Sequence, residues 1–165
     1  GEHGDGIIRG ALNDAFWGPA IMNLFRETKR IFDPENLLNP GKIFDTPPLT
    51  AVQRYGPEYH REWDARYFHF RAEGGFAGAV EMCNGVGQCR KVGQGVMCPS
   101  FMATRDEEAS TRGRANALRL AMSGQLGPDA MTSEELHHVL DLCLECKGCA
   151  GECPNNVDMA RMKSE

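Results

Sequence analysis

Cys143-Leu144-Glu145-Cys146-Lys147-Gly148-Cys149-Ala150-Gly151-Glu152-Cys153-Pro154 is the stretch on which the reading of this sequence turns. Its cysteines stand two, two and three residues apart, and a proline follows the last. In that spacing three thiolates grip one iron–sulfur cube while the fourth reaches a different cluster. The reason is steric: a tight loop wraps three irons, and the cysteine at its end points away. Proline closes the loop and can open a helix, where its missing amide goes unnoticed. A structural zinc site is the competing reading. Zinc draws its ligands from two separated knuckles and would use this crowded quartet poorly.

Upstream, Cys83-Asn84-Gly85-Val86-Gly87-Gln88-Cys89 and Cys98-Pro99 follow the same template loosely. Cysteines fill its first and third positions, Val86 stands at the second, and Cys98 is the distant fourth after a longer spacer. If the ladders exchange their last cysteines, Cys143, Cys146, Cys149 and Cys98 hold one [4Fe-4S] cluster. Cys83, Cys89 and Cys153 then hold a second, and all seven cysteines are used. Valine cannot bind iron. The second cluster is therefore expected to be [3Fe-4S], or an incompletely cysteine-ligated [4Fe-4S] capped by solvent or another side chain. Two uncoupled ladders are the alternative.

The rest of the chain sets the context. Its 165 residues suit one ordinary domain or two small ones, and 41% hydrophobic with 25% charged residues is a globular composition. A net charge of -5 argues against a nucleic-acid surface, which needs a basic stripe. No apolar run is long enough to span a bilayer, and no basic-then-apolar leader opens the chain, which argues against secretion. An odd number of clustered cysteines does not suit a disulfide framework and points to metal in a reducing, cytoplasmic setting. Gly1 in place of Met, and an end soon after Cys153, suggest an interior piece of a longer protein.

Coarse patterning predicts helices around the cysteine loops. Pro19 suits a first helical turn, with Ile21, Leu24, Phe25, Thr28, Ile31 and Phe32 at spacings of three and four until Asp33-Pro34 ends the run. Asn39-Pro40-Gly41-Lys42 reads as a turn, and Arg66–Arg71 alternates weakly, as a short strand would. A long helix is expected from Glu107 to about Ser123, with Ala115, Leu118, Leu120, Ala121 and Met122 toward its buried face. Thr132 and Glu135 form a candidate capping box for a helix carrying Leu136, Val139, Leu140 and Leu142 into Cys143. Arg105, Arg112 and Arg114 could screen cluster charge or guide an acidic substrate, with a solvent-facing, Arg-rich helix the favoured reading. His60, His69, His137 and His138 lack ligand-like company and are read as surface histidines.

The two ladders resemble the helical ferredoxin module of fumarate-reductase-type iron–sulfur subunits, over about residues 75–163. There too a valine-like residue at the second position accompanies a three-iron cluster. Gly1-Glu2-His3-Gly4-Asp5-Gly6, followed by Phe32-Asp33-Pro34-Glu35-Asn36-Leu37-Leu38-Asn39-Pro40-Gly41-Lys42-Ile43, resembles another family over about residues 1–45. This is the C-terminal end of the FAD-linked oxidase domain of D-2-hydroxyacid dehydrogenases, including D-lactate, glycolate and D-2-hydroxyglutarate enzymes.

Together the resemblances imply a mostly α fold. The C-terminal remnant of an α+β FAD-linked oxidase domain spans 1–45, a linker 46–74, and an α-helical two-cluster ferredoxin-type domain 75–165. They imply a dehydrogenase that passes electrons from FAD through the clusters to a quinone, a cytochrome or a cysteine-rich domain. Its substrate would be a small 2-hydroxyacid, D-lactate or D-2-hydroxyglutarate. Glu2 and His3 would hold a divalent metal, zinc, beside the flavin, with His3 a ligand or the acceptor of the hydroxyl proton. Asn39 and Lys42 would lie in the turn approaching the flavin. The FAD-binding fold proper and further histidine ligands would lie upstream of Gly1, so this piece alone is expected to be inactive. Membrane association would be at most peripheral, at the inner face. A stand-alone electron-transfer subunit and a zinc-stabilised interaction module remain the alternatives.

Overall fold

A computed structural model describes residues 3–51, 54–55, 59 and 63–165. They form two compact units, Gly1–Tyr59 and His60–Glu165. Helices dominate both, and no strand occurs among the described residues. None of these helices is long and apolar enough to cross a membrane.

In the first unit, α1 (Gly6–Gly10) leads into α2 (Asn13–Phe32). At Gly18 the backbone leaves helical geometry (φ 74°, ψ 165°), a left-handed conformation that glycine adopts without a Cβ penalty. Pro19 then restarts the helix at a position where its lack of an amide costs nothing. The helix ends at Asp33, whose carboxylate accepts from the amides of Leu37 (2.9 Å) and Leu38 (2.8 Å) and pairs with Lys29. The Lys29 contact leads the forces that lower the Asp33 pKa to about 2. Buried Asn13 folds the following turn back, donating to Asp5 Oδ2 (3.0 Å) and to the Ile43 carbonyl (2.8 Å). The Ile43 amide reaches Gly6 O at 3.3 Å, so the glycine-rich segment and the Asn39–Lys42 turn are neighbours. Among the described residues of this unit only Met22 is a buried hydrophobic side chain, while Phe16, Ile31, Phe32 and Leu37 are largely exposed.

The second unit carries the continuous core. Phe70 meets Phe76 edge-on (centroids 5.3 Å apart, 79° between planes), and the Arg161 guanidinium lies 4.2 Å from the Phe70 ring. α3 (Phe76–Glu81) buries Phe76, Ala77, Ala79 and Val80 against α5 (Thr111–Met122), which presents Ala115, Leu118, Ala121 and Met122. α6 (Glu134–Asp141) adds Leu136 to the core, and α8 (Met159–Ser164) adds Met159 and Met162. Each fully buried aliphatic or Met side chain contributes roughly 1.5–3 kcal/mol. α4 (Pro99–Thr104) and α7 (Gly148–Glu152) are short and complete the frame around the cysteine loops.

Several sequence expectations are corrected. Arg66–Arg71 is not a strand: the amides of Arg66, Tyr67 and Phe68 donate to the Glu165 carboxylate, and no neighbouring strand competes for them among the described residues. The helix expected from Glu107 is a 3₁₀ turn (Glu107–Ala109), then α5, because Ser110 caps the break by accepting from the Gly113 amide at 2.9 Å. The α6 cap is Ser133, not Thr132; its hydroxyl accepts from the Leu136 amide at 3.1 Å. Leu142, expected on this helix, is its C-cap and is half exposed, because the helix ends at Asp141. The arginines do not share a solvent face: Arg105 is exposed, Arg112 half-buried and Arg114 fully buried. His69, His137 and His138 are exposed as read, and His60 lies outside the described residues.

Candidate iron–sulfur sites

Each ladder leaves the end of a helix. The Cys83 amide donates to Val80 O behind α3, and the Cys143 amide donates to Leu140 O behind α6. Beyond Cys143 the loop curls through two left-handed residues, Glu145 (φ 51°) and Lys147 (φ 61°). Neither is glycine, so each costs about 1–2 kcal/mol, which the surrounding contacts must offset. α8 supplies them. Lys163 Nζ donates to Cys143 O (2.9 Å) and Asp141 O (3.2 Å), Ser164 Oγ donates to Glu145 Oε2 (2.8 Å), and the Met159 amide reaches Cys149 Sγ at 3.3 Å.

Cys98, Cys143, Cys146 and Cys149 line one small cavity. Cys153 is not on that wall, although it belongs to the same ladder; it is half-buried at the edge of the core. Among the described residues, no three His, Cys, Asp or Glu side chains stand close enough to hold a metal ion as placed. Closing the four thiols on a cluster therefore requires side-chain adjustment. The donor set fits such a group: four soft sulfur ligands, with nitrogen donors already directed at two of the sulfurs.

Burial is the largest single influence on the thiols of Cys149 and Cys98. It pushes Cys149 up, against the amides of Met159, Ala160 and Ala150. It also opposes ionisation of Cys98, yet there the Ser100 hydroxyl, the Phe101 amide and the Arg114 charge together win, and the pKa is lowered. These contacts favour the thiolate of Cys98, the form that binds metal.

The first ladder is braced from α5. The Arg112 amide donates to Cys89 Sγ (3.4 Å), and its Nη1 donates to Gly85 O (3.1 Å). Its Nε and Nη2 hold the Glu107 carboxylate at 2.6 and 2.9 Å. Gly87 lies beneath this guanidinium at φ 80°, where a Cβ would come 3.1 Å from Arg112 Nη1. Cys83 and Cys89 are near enough to influence each other: burial leads in raising the Cys89 pKa, and the Cys83 charge adds to it. Val86 sits on the loop tip, 61% exposed. A third brace joins the ladders. Glu152, just before Cys153, accepts from the amides of Val96 (2.7 Å) and Met97 (3.2 Å) and pairs with Lys91 Nζ at 2.7 Å. The Lys91 bond leads the forces holding the Glu152 pKa down to about 2.

In the first unit, Glu2 lies outside the described residues and His3 is exposed. Lys42 Nζ donates to Asn39 Oδ1 at 2.9 Å, and Asn39 takes a left-handed conformation (φ 50°). Sequence reasoning missed Asn13 and Glu152, which are held by partners 30 and 56 residues away.

Residues 1–43 match the family described as FAD linked oxidases, C-terminal domain, and residues 79–158 match the 4Fe-4S dicluster domain. The chain joins the end of an FAD-linked oxidase domain to a 4Fe-4S dicluster domain. Along its whole length this two-part chain is 29% identical to a D-2-hydroxyglutarate dehydrogenase of Haemophilus influenzae. It is 30% identical to that of Pantoea ananatis over 99% of the chain. In each case it spans 19% of the relative, about a fifth of its length. A shorter match, 46% identical over 26% of the chain and 10% of the relative, is to a D-lactate dehydrogenase of Archaeoglobus fulgidus. No solved structure matches the chain.

Proposed function

We propose that this oxidase–dicluster chain is the junction of a D-2-hydroxyacid dehydrogenase, where electrons leave the flavin and enter the iron–sulfur relay. The substrate in this reading is D-2-hydroxyglutarate or D-lactate, and the product is the 2-oxoacid. One observation carries the proposal: the end of an FAD-linked oxidase domain and a dicluster domain follow one another in a single chain.

Cys143, Cys146, Cys149 and Cys98 hold a [4Fe-4S] cluster in this reading, supported by the cavity these four side chains share. Cys83, Cys89 and Cys153 hold the second cluster, of three irons or of four with one non-cysteine ligand. Glu2 and His3 bind zinc near the flavin, His3 takes the substrate hydroxyl proton, and Asn39 with Lys42 orients the flavin edge. FAD, when bound, supplies hydride acceptance at C2 of the substrate, and the clusters supply one-electron steps. Residues 46–74 join the two functional parts. The acceptor is a quinone, a cytochrome or a further cysteine-rich domain, reached in the cytoplasm or at the inner face of the membrane.

Full-length protein purified without oxygen tests this. It should be brown, contain flavin and about seven to eight irons per chain, and oxidise the D- but not the L-enantiomer of one of these acids with an artificial acceptor. Colourless, zinc-loaded protein, or protein without flavin, would overturn the proposal.

A further inference from the structure

Arg114 is a buried cation whose compensation lies outside ordinary ion pairing. Its side chain is fully buried in α5. Among the described residues its hydrogen-bond acceptors are Ala109 O (2.7 Å), Val139 O (3.0 Å), Ser100 Oγ (3.0 Å) and Cys98 Sγ (3.6 Å). None is a carboxylate. A buried ion without a counter-charge costs several kcal/mol, and neutral acceptors solvate a guanidinium without neutralising it. The anion it faces must therefore come from the cavity it lines together with Cys98, Cys143, Cys146 and Cys149. A cube ligated by four thiolates is such an anion, and each electron added makes it more negative.

We propose that Arg114 is the buried counter-charge of that cluster and raises its reduction potential above the value the same ligands would otherwise give. The inference rests on the ligand set proposed above. Arg112, at the other ladder, supplies the contrast. Its charge is spent on Glu107 through two hydrogen bonds, and its side chain is 23% exposed, so solvent screens the remainder. The Arg114 charge is neither paired nor screened, and fields in a dry interior are stronger than at a surface. The two clusters thus differ in local charge as well as in ligand count, and the Cys98 cluster becomes the more favourable place for an electron. Arg114 is a positioning and tuning residue; its planar fork also ties Ala109, Ser100 and Val139 around the thiol, which a lysine cannot reproduce.

The test is a redox titration of full-length, iron-loaded protein followed by electron paramagnetic resonance. Arg114→Gln should lower the reduced-to-oxidised ratio of one cluster about tenfold at fixed potential, a shift of about 59 mV for one electron. The other cluster should stay unmoved. Arg114→Lys should recover part of the shift, and Arg112→Gln should leave this cluster nearly unchanged. An intact cluster whose potential Arg114→Gln does not move overturns the inference. If that variant cannot hold the cluster, Arg112→Gln protein labelled with guanidino-¹⁵N arginine decides. A nitrogen coupling to the reduced cluster in its pulsed spectrum supports the inference, and no coupling overturns it. Iron-free wild-type protein would instead sink the ligand assignment itself, whereas brown wild type with an unmoved potential sinks only the role of Arg114.

Discussion

The two cysteine ladders descend from similar spacings but live in different surroundings. Cys83, Cys89 and Cys98 are buried, whereas of the second ladder only Cys149 is buried, Cys143 and Cys153 are half-buried and Cys146 is exposed. The regular ladder is the exposed one, braced by α8 through Lys163, Ser164 and Met159. The irregular ladder is drawn into the core and braced by Arg112. Spacing therefore does not fix environment. For clusters, exposure and nearby charge help to set the potential, so two similar motifs can serve as two different steps for an electron.

The largest expected effect breaks the pairing of the ladders. Cys98→Ala should empty the site of Cys143, Cys146 and Cys149, and Cys153→Ala should spare it while losing the cluster of Cys83 and Cys89. Iron content and spin quantitation distinguish the two. If Cys153→Ala removes the first cluster and Cys98→Ala does not, the exchange is wrong. A smaller edit makes the ladders more alike: Val86→Cys, at the exposed loop tip, should add one iron and convert a three-iron signal into a [4Fe-4S] one. An unchanged spectrum in protein that retains the cluster would argue against that geometry.

Gly113→Ala tests how closely α5 must approach the turn before it. A Cβ there would come 2.1 Å from Glu107 O and 2.8 Å from Glu107 C, both backbone atoms that cannot swing aside. Overpacking of this kind costs about 1–3 kcal/mol, against about 1 kcal/mol gained in helix propensity. A lower urea midpoint for cluster loss is expected, with the first ladder released before the second. A midpoint equal to or above the wild type would show that the turn yields freely.

The least effect concerns the Glu152 brace and acid. Its folded pKa is depressed from 4.5 to about 2, so the unfolded chain takes up a proton first as pH falls. Its stabilisation is complete above the unfolded value and disappears as pH descends toward 2. The stability gap between wild type and Glu152→Gln should hold steady above about pH 5 and close below it. A gap that persists at the acid end would contradict the assignment of the lowered pKa to this carboxylate.

Much of this was legible in the chain itself. Pro19 and Asp33-Pro34 mark where the regular part of α2 restarts and where it ends, because proline acts locally, on one or two dihedral angles. The cap at Ser133 was misplaced by one residue, since Thr132 and Ser133 offer the same hydroxyl and only the turn geometry chooses between them. The weak alternation at 66–71 suggested a strand, but alternation needs a partner strand, and Glu165 takes those amides instead.

What the sequence determined by itself is the chemistry: seven cysteines in two ladders, an oxidase-like N-terminal segment, and helices between them. These rest on ligand type and short spacing, which the chain carries wherever it folds. The tertiary structure decided which cysteines share a cavity, and that an arginine from the first turn of α5 is buried among them. Both depend on contacts between residues far apart in sequence. Periodicity records only whether a face is apolar, so it favoured a solvent face for Arg114 over the cluster-screening alternative, when the fold had placed its charge against sulfur.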